Sequence, residues 1–181
     1  MAKLIRNGRI VSDDWQVVAT AEGESPDSVV VPEGRVIVPL ALWQARREAL
    51  VARPDTGVWL DSHEEPEMLA ADIAHLPLIA VNFPKFSDGR GYSIATLLRT
   101  RYGFAGELRA IGDVLRDQFN YLARCGFDAL QPREDRYTDA QLEAALASLA
   151  DFTEPYQASV SHTQPLFRRA ARAAASAGAK P

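Results

Sequence analysis

The sequence predicts an α/β fold in which four βα units form a parallel sheet, preceded by an N-terminal β-hairpin and a helix. Short apolar segments begin near residues 58, 78, 107 and 127, and segments with helical periodicity follow them. Strand and helix therefore alternate four times, which is typical of right-handed crossovers and a parallel sheet. Four units are half of an eight-unit barrel, so a half-barrel and a doubly wound sheet are both compatible with the sequence.

The first 35 residues are predicted to form a β-hairpin and a loop. Asn7-Gly8 separates two short strands, and Asn-Gly is a strong hairpin signal because both turn residues need positive φ. Residues 15–19 can add a third strand, and residues 20–34 are rich in Glu, Ser, Pro and Gly, as loops are. Pro39 is typical of a first helical position, and the spacing of apolar residues predicts a helix over residues 40–51.

Residues 36–155 are predicted to form the α/β core domain. Its predicted strands are Val58 to Leu60, Leu78 to Phe83, Glu107 to Ile111 and Phe127 to Leu130. Helices are predicted from about Pro66 to His75, around Ile94 to Tyr102, around Val114 to Leu122, and after Thr138. Thr138 and Gln141 have the spacing of a capping box, which marks the start of the last helix.

The composition limits the cofactors and the class of protein. The chain has 181 residues, of which 47% are hydrophobic, and it contains a single cysteine. One cysteine excludes an internal disulfide, a cysteine-based zinc site and a four-thiolate iron–sulfur cluster. No segment is long and apolar enough to span a bilayer, and the first ten residues lack the apolar core of a secretion signal. We therefore expect a cytoplasmic protein that does not bind membranes.

The net charge of −4 is unevenly distributed along the chain. From Pro155 to the end there are four basic residues and no Asp or Glu, so the rest of the chain carries a charge of −8. An acidic body argues against nucleic-acid binding, which needs a broad basic surface. The Ala- and Arg-rich residues 156–181 are predicted to be a flexible tail, either solvated or in contact with an acidic partner.

The segment Asp88-Gly89-Arg90-Gly91 is the strongest local signal for a ligand site. It lies between a predicted strand and a predicted helix, where glycines let backbone N–H groups approach a ligand and the helix N-terminus favours an anion. Lys85, Arg90 and Arg109 can supply charge-assisted hydrogen bonds to a phosphate, sulfate or carboxylate. In the alternative interpretation the segment is a tight loop, in which Asp88 caps the helix and Arg90 pairs with a carboxylate.

Asp113 and Asp117 are four residues apart at the start of a predicted helix, and so lie on one face. They can act as acid and base or hold a cation; alternatively, Asp113 caps the helix and Asp117 pairs with Arg109 or Arg116.

The lone Cys125 ends a predicted helix and is expected in the core. The three histidines share no metal-ligand spacing, so no metal site is predicted.

The central part of the chain resembles a known bacterial family. The residues that carry the resemblance are NFPKFSDGRGYS from Asn82 and GELRAIGDVLRDQFNYLARCGFDAL from Gly106, with VPLALW and VWLDS earlier in the chain. They are similar to the signature of the family catalogued as domain of unknown function 934, over about residues 36–155. The resemblance implies a role in assimilatory sulfur metabolism, because such proteins are usually encoded beside the haemoprotein sulfite reductase and labelled probable oxidoreductases of sulfite reduction.

The resemblance implies candidate site residues but no established catalytic ones. Residues that match the signature and suit ligand binding are Lys85, Asp88, Arg90, Tyr92, Arg109 and Gln118, and the candidate catalytic carboxylates are Asp88, Asp113 and Asp117. With one cysteine, the chain is not the sirohaem and iron–sulfur subunit itself. It also lacks a known flavin or nicotinamide fingerprint, although a flavin phosphate at the helix start near Asp88 is compatible with the sequence.

Two functions follow from these observations. The first is an accessory protein of sulfite reduction, an interaction or electron-transfer partner of the haemoprotein sulfite reductase. The alternative is an oxidoreductase, or a small-anion-binding enzyme or sensor, that uses the cationic residues at the strand ends. A half-barrel leaves sheet edges unpaired, so a homodimer is also expected.

Overall fold

Eight strands form one mixed β-sheet in the computed structural model, which describes residues 3–21, 23–151 and 154–169. The strands are β1 (Lys3–Arg6), β2 (Arg9–Ser12), β3 (Gln16–Val17), β4 (Val36–Pro39), β5 (Thr56–Leu60), β6 (Leu78–Phe83), β7 (Glu107–Gly112) and β8 (Ala129–Leu130). The α-helices with assigned bounds are α1 (Leu40–Ala45), α2 (Arg47–Val51), α3 (Arg90–Thr100), α4 (Phe119–Arg124) and α5 (Asp139–Ala147). Short 3-10 helices cover Pro66–Leu69, Ile73–His75, Arg116–Gln118, Glu134–Arg136 and Ser148–Ala150.

The strands lie in the order β2-β1-β8-β7-β6-β5-β4-β3. Strands β3 to β8 are parallel and adjacent in chain order, whereas β1 is antiparallel to both β8 and β2. A doubly wound sheet reverses its strand order at a switch point, and this sheet has no such reversal among the described strands. The α/β prediction is therefore confirmed as a half-barrel, but the sheet is mixed and is not the purely parallel four-unit sheet that the sequence predicts.

The connection between β2 and β3 forces the sheet to curve. These strands form opposite edges of the sheet, yet only residues 13–15 separate Ser12 from Gln16. Four Cα–Cα steps span at most about 15 Å, whereas the edges of a flat eight-stranded sheet would be about 34 Å apart. The two edges therefore approach each other, and the sheet acquires an inner and an outer face.

Both faces of the sheet are packed with apolar side chains. The main core lies between the outer face and the helices, and Val81, Leu98 and Phe119 are among its fully buried residues. The inner face has a smaller cluster made of Ile37, Leu78, Ala80 and Ile111, against which Trp15 and Trp59 pack. The inner face is therefore filled by side chains, as in small closed barrels.

The N-terminal region differs in part from the sequence prediction. The hairpin is confirmed, with positive φ angles of 50° at Asn7 and 70° at Gly8. Residues 16–17 do not extend this hairpin; they pair in parallel with β4, a strand that the prediction lacked. The helix predicted over residues 40–51 is divided at Arg46 into α1 and α2.

Two further segments also differ from their predictions. The helix predicted from Pro66 to His75 consists of two short 3-10 helices. In the predicted tail, the Val160 N–H donates a hydrogen bond to the Arg124 carbonyl, 3.1 Å away, so this part packs on α4. The remainder of the predicted tail, residues 170–181, lies outside the described residues. Within the described ranges, no helix has the length and apolar character needed to cross a bilayer.

Candidate functional site

The loop between β6 and α3, residues 84–89, is here called the strand-end loop. It lies at the carboxyl ends of the parallel strands, the edge at which α/β proteins usually bind ligands. The Asp88 N–H donates to the Lys85 carbonyl over 2.9 Å, which makes a tight turn within the loop. Side chains from the segments that follow β5 and β7 hold the loop from both sides.

Asp88 is held by Arg90 and Ser62 on one side of the loop. One carboxylate oxygen accepts hydrogen bonds from the backbone N–H of Arg90 at 3.1 Å and from its Nε at 3.0 Å. The other accepts from Arg90 Nη2 at 2.6 Å and from the Ser62 hydroxyl at 2.7 Å. The guanidinium of Arg90 and the Ser62 hydroxyl hold the pKa of Asp88 well below its usual range.

This geometry is the tight-loop alternative of the sequence analysis, with Asp88 at the helix start and Arg90 paired to a carboxylate. The backbone N–H of Arg90 at the first position of α3 already donates to the Asp88 carboxylate. An anion that approaches this helix start, such as a flavin phosphate, therefore competes with the Asp88 carboxylate for the N–H and guanidinium donors of Arg90. The Asp88 carboxylate thus occupies the position at the start of α3 where the sequence suggests that a ligand anion binds.

Asp113 and Gln118 hold Phe86 on the other side of the loop. The Phe86 N–H donates to Asp113 Oδ2 over 3.0 Å, and the Phe86 carbonyl accepts from Gln118 Nε2 over 2.6 Å. The Asp113 N–H in turn donates to the Phe83 carbonyl over 2.7 Å. Both backbone polar groups of Phe86 are therefore bonded, while the residue as a whole is 54% exposed.

Asp113 and Asp117 have different surroundings. Besides Phe86, Asp113 contacts Arg136, whose Nη1 lies 3.3 Å from Asp113 Oδ1. Asp117 is exposed and lines a separate cleft with Asn120 and Ser148. Asp113 thus has a positioning role towards the strand-end loop, and the geometry does not join it with Asp117 into an acid–base pair.

Arg109 does not reach the strand-end loop, because it lies inside the curved sheet. Its Nη1 donates to Asp13 Oδ2 at 2.7 Å and to Gln131 Oε1 at 3.0 Å, and its Nε donates to Glu107 Oε1 at 2.8 Å. The Arg109 side chain is fully buried. Its charge is therefore neutralised within the fold.

Lys85 and Tyr92 are the remaining candidates, and they lie in different elements. Lys85 is exposed within the loop. Tyr92, on α3, packs its ring against Phe83 at a centroid distance of 5.3 Å and against Tyr121 at 4.8 Å. Burial raises the pKa of the Tyr92 hydroxyl, so the group is neutral at pH 7. Tyr92 is therefore part of the helix layer, where it packs between the end of β6 and α4.

Sequence reasoning missed Ser62, Phe86 and Asp13 as parts of these networks. Ser62 bonds Asp88, which is 26 residues away, and Asp13 bonds Arg109, which is 96 residues away. No local sequence pattern indicates contacts between residues so far apart in the chain. Phe86 had a detectable signal, because a single large apolar residue stands within the polar segment from Lys85 to Gly91.

Cys125 is buried, as predicted, and burial raises the pKa of its thiol. No group of three or more potential metal ligands occurs within residues 3–21, 23–151 and 154–169.

A family model matches the larger part of the chain. The family model described as "Bacterial protein of unknown function (DUF934)" matches residues 57–167, more than half of the chain. The matched region begins at the second residue of β5 and includes β6 to β8, the strand-end loop and the residues that hold it. No curated protein and no solved structure matches the chain.

Proposed function

Because this chain belongs to the family of bacterial proteins of unknown function DUF934, we propose that it is an accessory protein of assimilatory sulfite reduction. The proposed partner is the haemoprotein sulfite reductase, which the family resemblance implies. The proposed contact surface is the strand-end loop. The protein would bind this partner without itself holding sirohaem or an iron–sulfur cluster.

The exposed and fixed Phe86 is the observation that carries this proposal. Large aromatic residues dominate the binding energy of many protein interfaces, above all when they need little ordering on binding. The backbone of Phe86 is fixed by Asp113 and Gln118, and the residue is more than half exposed. An exposed aromatic residue on a fixed backbone is suited to anchor a protein interface.

The charges around Phe86 favour this accessory role over a small-anion enzyme. Arg90 is paired with Asp88, and Arg109 is buried with Asp13 and Glu107. Two of the three cations that would bind an anion are therefore already neutralised. Lys85, next to Phe86 in the chain, is exposed, and a polar residue beside an apolar one is typical of the rim of a protein interface.

The test is a binding titration between this protein and purified haemoprotein sulfite reductase. We expect a saturable complex, and we expect Phe86→Ala to weaken it at least about 30-fold, the effect of a hot-spot residue worth about 2 kcal/mol. Gln118→Leu removes the hydrogen bond to the Phe86 carbonyl but keeps the ring, so it should give a smaller loss through a more mobile loop.

Phe167→Ala is the matched control. Phe167 is 57% exposed, close to the 54% of Phe86, but it lies in the C-terminal segment. Phe167→Ala should leave the affinity for sulfite reductase unchanged. The absence of a complex would contradict the proposed partner, and an equal loss in the Phe86 and Phe167 variants would contradict the strand-end loop as the contact surface.

A further inference from the structure

A cavity of about 540 Å³ lies on the helix side of the protein, away from the inner face of the sheet. Its walls come from α3, from α4 and from the segment 155–163, which packs across the two helices. Its lining includes Tyr121, Arg124, Cys125, Tyr156, Ala158 and Val160. Its volume is within the range of about 300–1,000 Å³ that is typical of small-molecule sites.

The surface of this cavity is mainly apolar. Tyr121 and Tyr156 are both more than half exposed, and Val160 and the buried Cys125 add further apolar surface. Burial raises the pKa of the Cys125 thiol, so it is neutral at pH 7 and packs as a small apolar group. Two large aromatic side chains exposed beside a concavity provide a surface on which the body of an organic molecule can pack.

Among the described residues that line this cavity, Arg124 is the charged one. It is partly buried, and its side chain makes no hydrogen bond or ion pair with any other residue in the described part of the chain. Its carbonyl accepts the hydrogen bond from Val160 that attaches the segment 155–163 to α4. A guanidinium beside an apolar concavity favours a carboxylate, which it can bind through two parallel hydrogen bonds.

We propose that this cavity binds a small organic acid, with its carboxylate on Arg124 and its aromatic or aliphatic body against Tyr121, Tyr156 and Val160. A carboxylate satisfies the guanidinium, while the body removes the exposed tyrosine surface from water. The site consists of residues outside the strand-end loop, so it does not depend on the proposed docking to sulfite reductase.

Calorimetric titration with 2-naphthoate and with the uncharged 2-naphthamide tests this proposal. We expect 2-naphthoate to bind saturably at one site and at least about tenfold more tightly than 2-naphthamide, the effect of one charge-assisted hydrogen bond. Arg124→Gln should lower the affinity for 2-naphthoate by a similar factor and leave that for 2-naphthamide unchanged. Ala158→Trp should fill the cavity and weaken both ligands.

Arg116→Gln is the matched control, because Arg116 is an exposed arginine that lines other clefts of the protein. The Arg116→Gln variant should bind 2-naphthoate with the affinity of the unmodified chain. Circular dichroism should show that all variants are folded. Absence of saturable binding, or an unchanged affinity in Arg124→Gln, would overturn the proposal. Binding that appears only after deletion of residues 170–181 would also overturn it, since the chain's own C-terminal residues would then be the occupant.

Discussion

Arg109 and Asp13 form an ion pair inside the curved sheet, with 2.7 Å between Arg109 Nη1 and Asp13 Oδ2. Their side chains are 0% and 2% exposed. Asp13 lies in the three-residue connection between the two edge strands, and Arg109 lies on β7 near the middle of the sheet. The residues beside Arg109 on the neighbouring strands are Ala80 and Ala129, and their small size leaves room for the guanidinium. The pair therefore attaches the connection to the inner face.

Asp13→Asn should destabilise the fold strongly. Within the described ranges, the substitution leaves the buried Arg109 with Glu107 as its remaining carboxylate partner, and breaking a buried ion pair costs about 3–5 kcal/mol. We expect a loss of about 3 kcal/mol in the free energy of unfolding, because Glu107 still compensates part of the charge. Urea unfolding followed by tryptophan fluorescence measures this loss.

Asp14→Asn is the control for this prediction. Asp14 is the next residue along the chain and pairs with Arg35, but both side chains are about half exposed. Exposed ion pairs contribute about 1 kcal/mol or less, so the variant should unfold almost as the unmodified chain does. Similar losses in both variants would show that the buried pair has no special role in holding the connection.

The parts of the fold that the sequence predicts are those with local signals. β6 is a nearly continuous apolar segment, and α5 begins at the capping box of Thr138 and Gln141, which the structure confirms. β3 has two residues and pairs with a strand 20 positions later, so no local pattern distinguishes it from the predicted extension of the hairpin. The curvature of the sheet likewise depends on which strands lie at its edges.

The same limit applies to the candidate site. The loop around Asp88 is predictable, because Gly, Asp and Arg stand together before an amphipathic helix. Whether Arg90 is free for a ligand depends on Asp88 and Ser62, and whether Arg109 is at the strand end depends on Asp13. A residue's type indicates the chemistry it can perform, but its partners decide whether that chemistry remains available.

Gly112→Ala should be among the most destabilising single substitutions at the strand ends. Gly112 has a φ of +91°, and a Cβ there would lie 2.5 Å from both Asn82 Oδ1 and the Phe83 carbonyl oxygen. One of these atoms belongs to the backbone of β6 and cannot move without disturbing the start of the strand-end loop. We expect a loss of more than about 3 kcal/mol in the free energy of unfolding, from backbone strain and steric overlap together.

Gly103→Ala separates these two causes. Gly103 also has a positive φ, of +65°, but no atom lies within 4 Å of a Cβ placed there. Its substitution should cost only the conformational strain of about 1–2 kcal/mol. Urea unfolding measures the loss in the free energy of unfolding for each variant. Equal losses would mean that small movements of Asn82 and Phe83 relieve the steric overlap with a Cβ at position 112.

The ion pair between Asp88 and Arg90 predicts a specific dependence of stability on pH. Arg90 and Ser62 hold the pKa of Asp88 in the folded protein well below the unfolded value of about 3.9. A group with a lowered folded pKa contributes stability above its unfolded pKa and loses that contribution as pH falls towards the folded pKa. Asp88→Asn should therefore be less stable than the unmodified chain by a constant amount between pH 7 and about pH 5, and the difference should narrow below about pH 4.

Titration of the Asp88 carboxyl carbon by NMR checks the cause of this behaviour. We expect the carboxyl to remain ionised at pH values where exposed aspartates are already protonated. Ser62→Ala removes one donor and should move the titration upward, towards the usual value, while leaving Arg90 in place. A carboxyl that titrates near pH 3.9 in the unmodified chain, or a stability difference that widens in acid, would show that Arg90 is not fixed by Asp88. Arg90 would then be free to bind an anion at the start of α3.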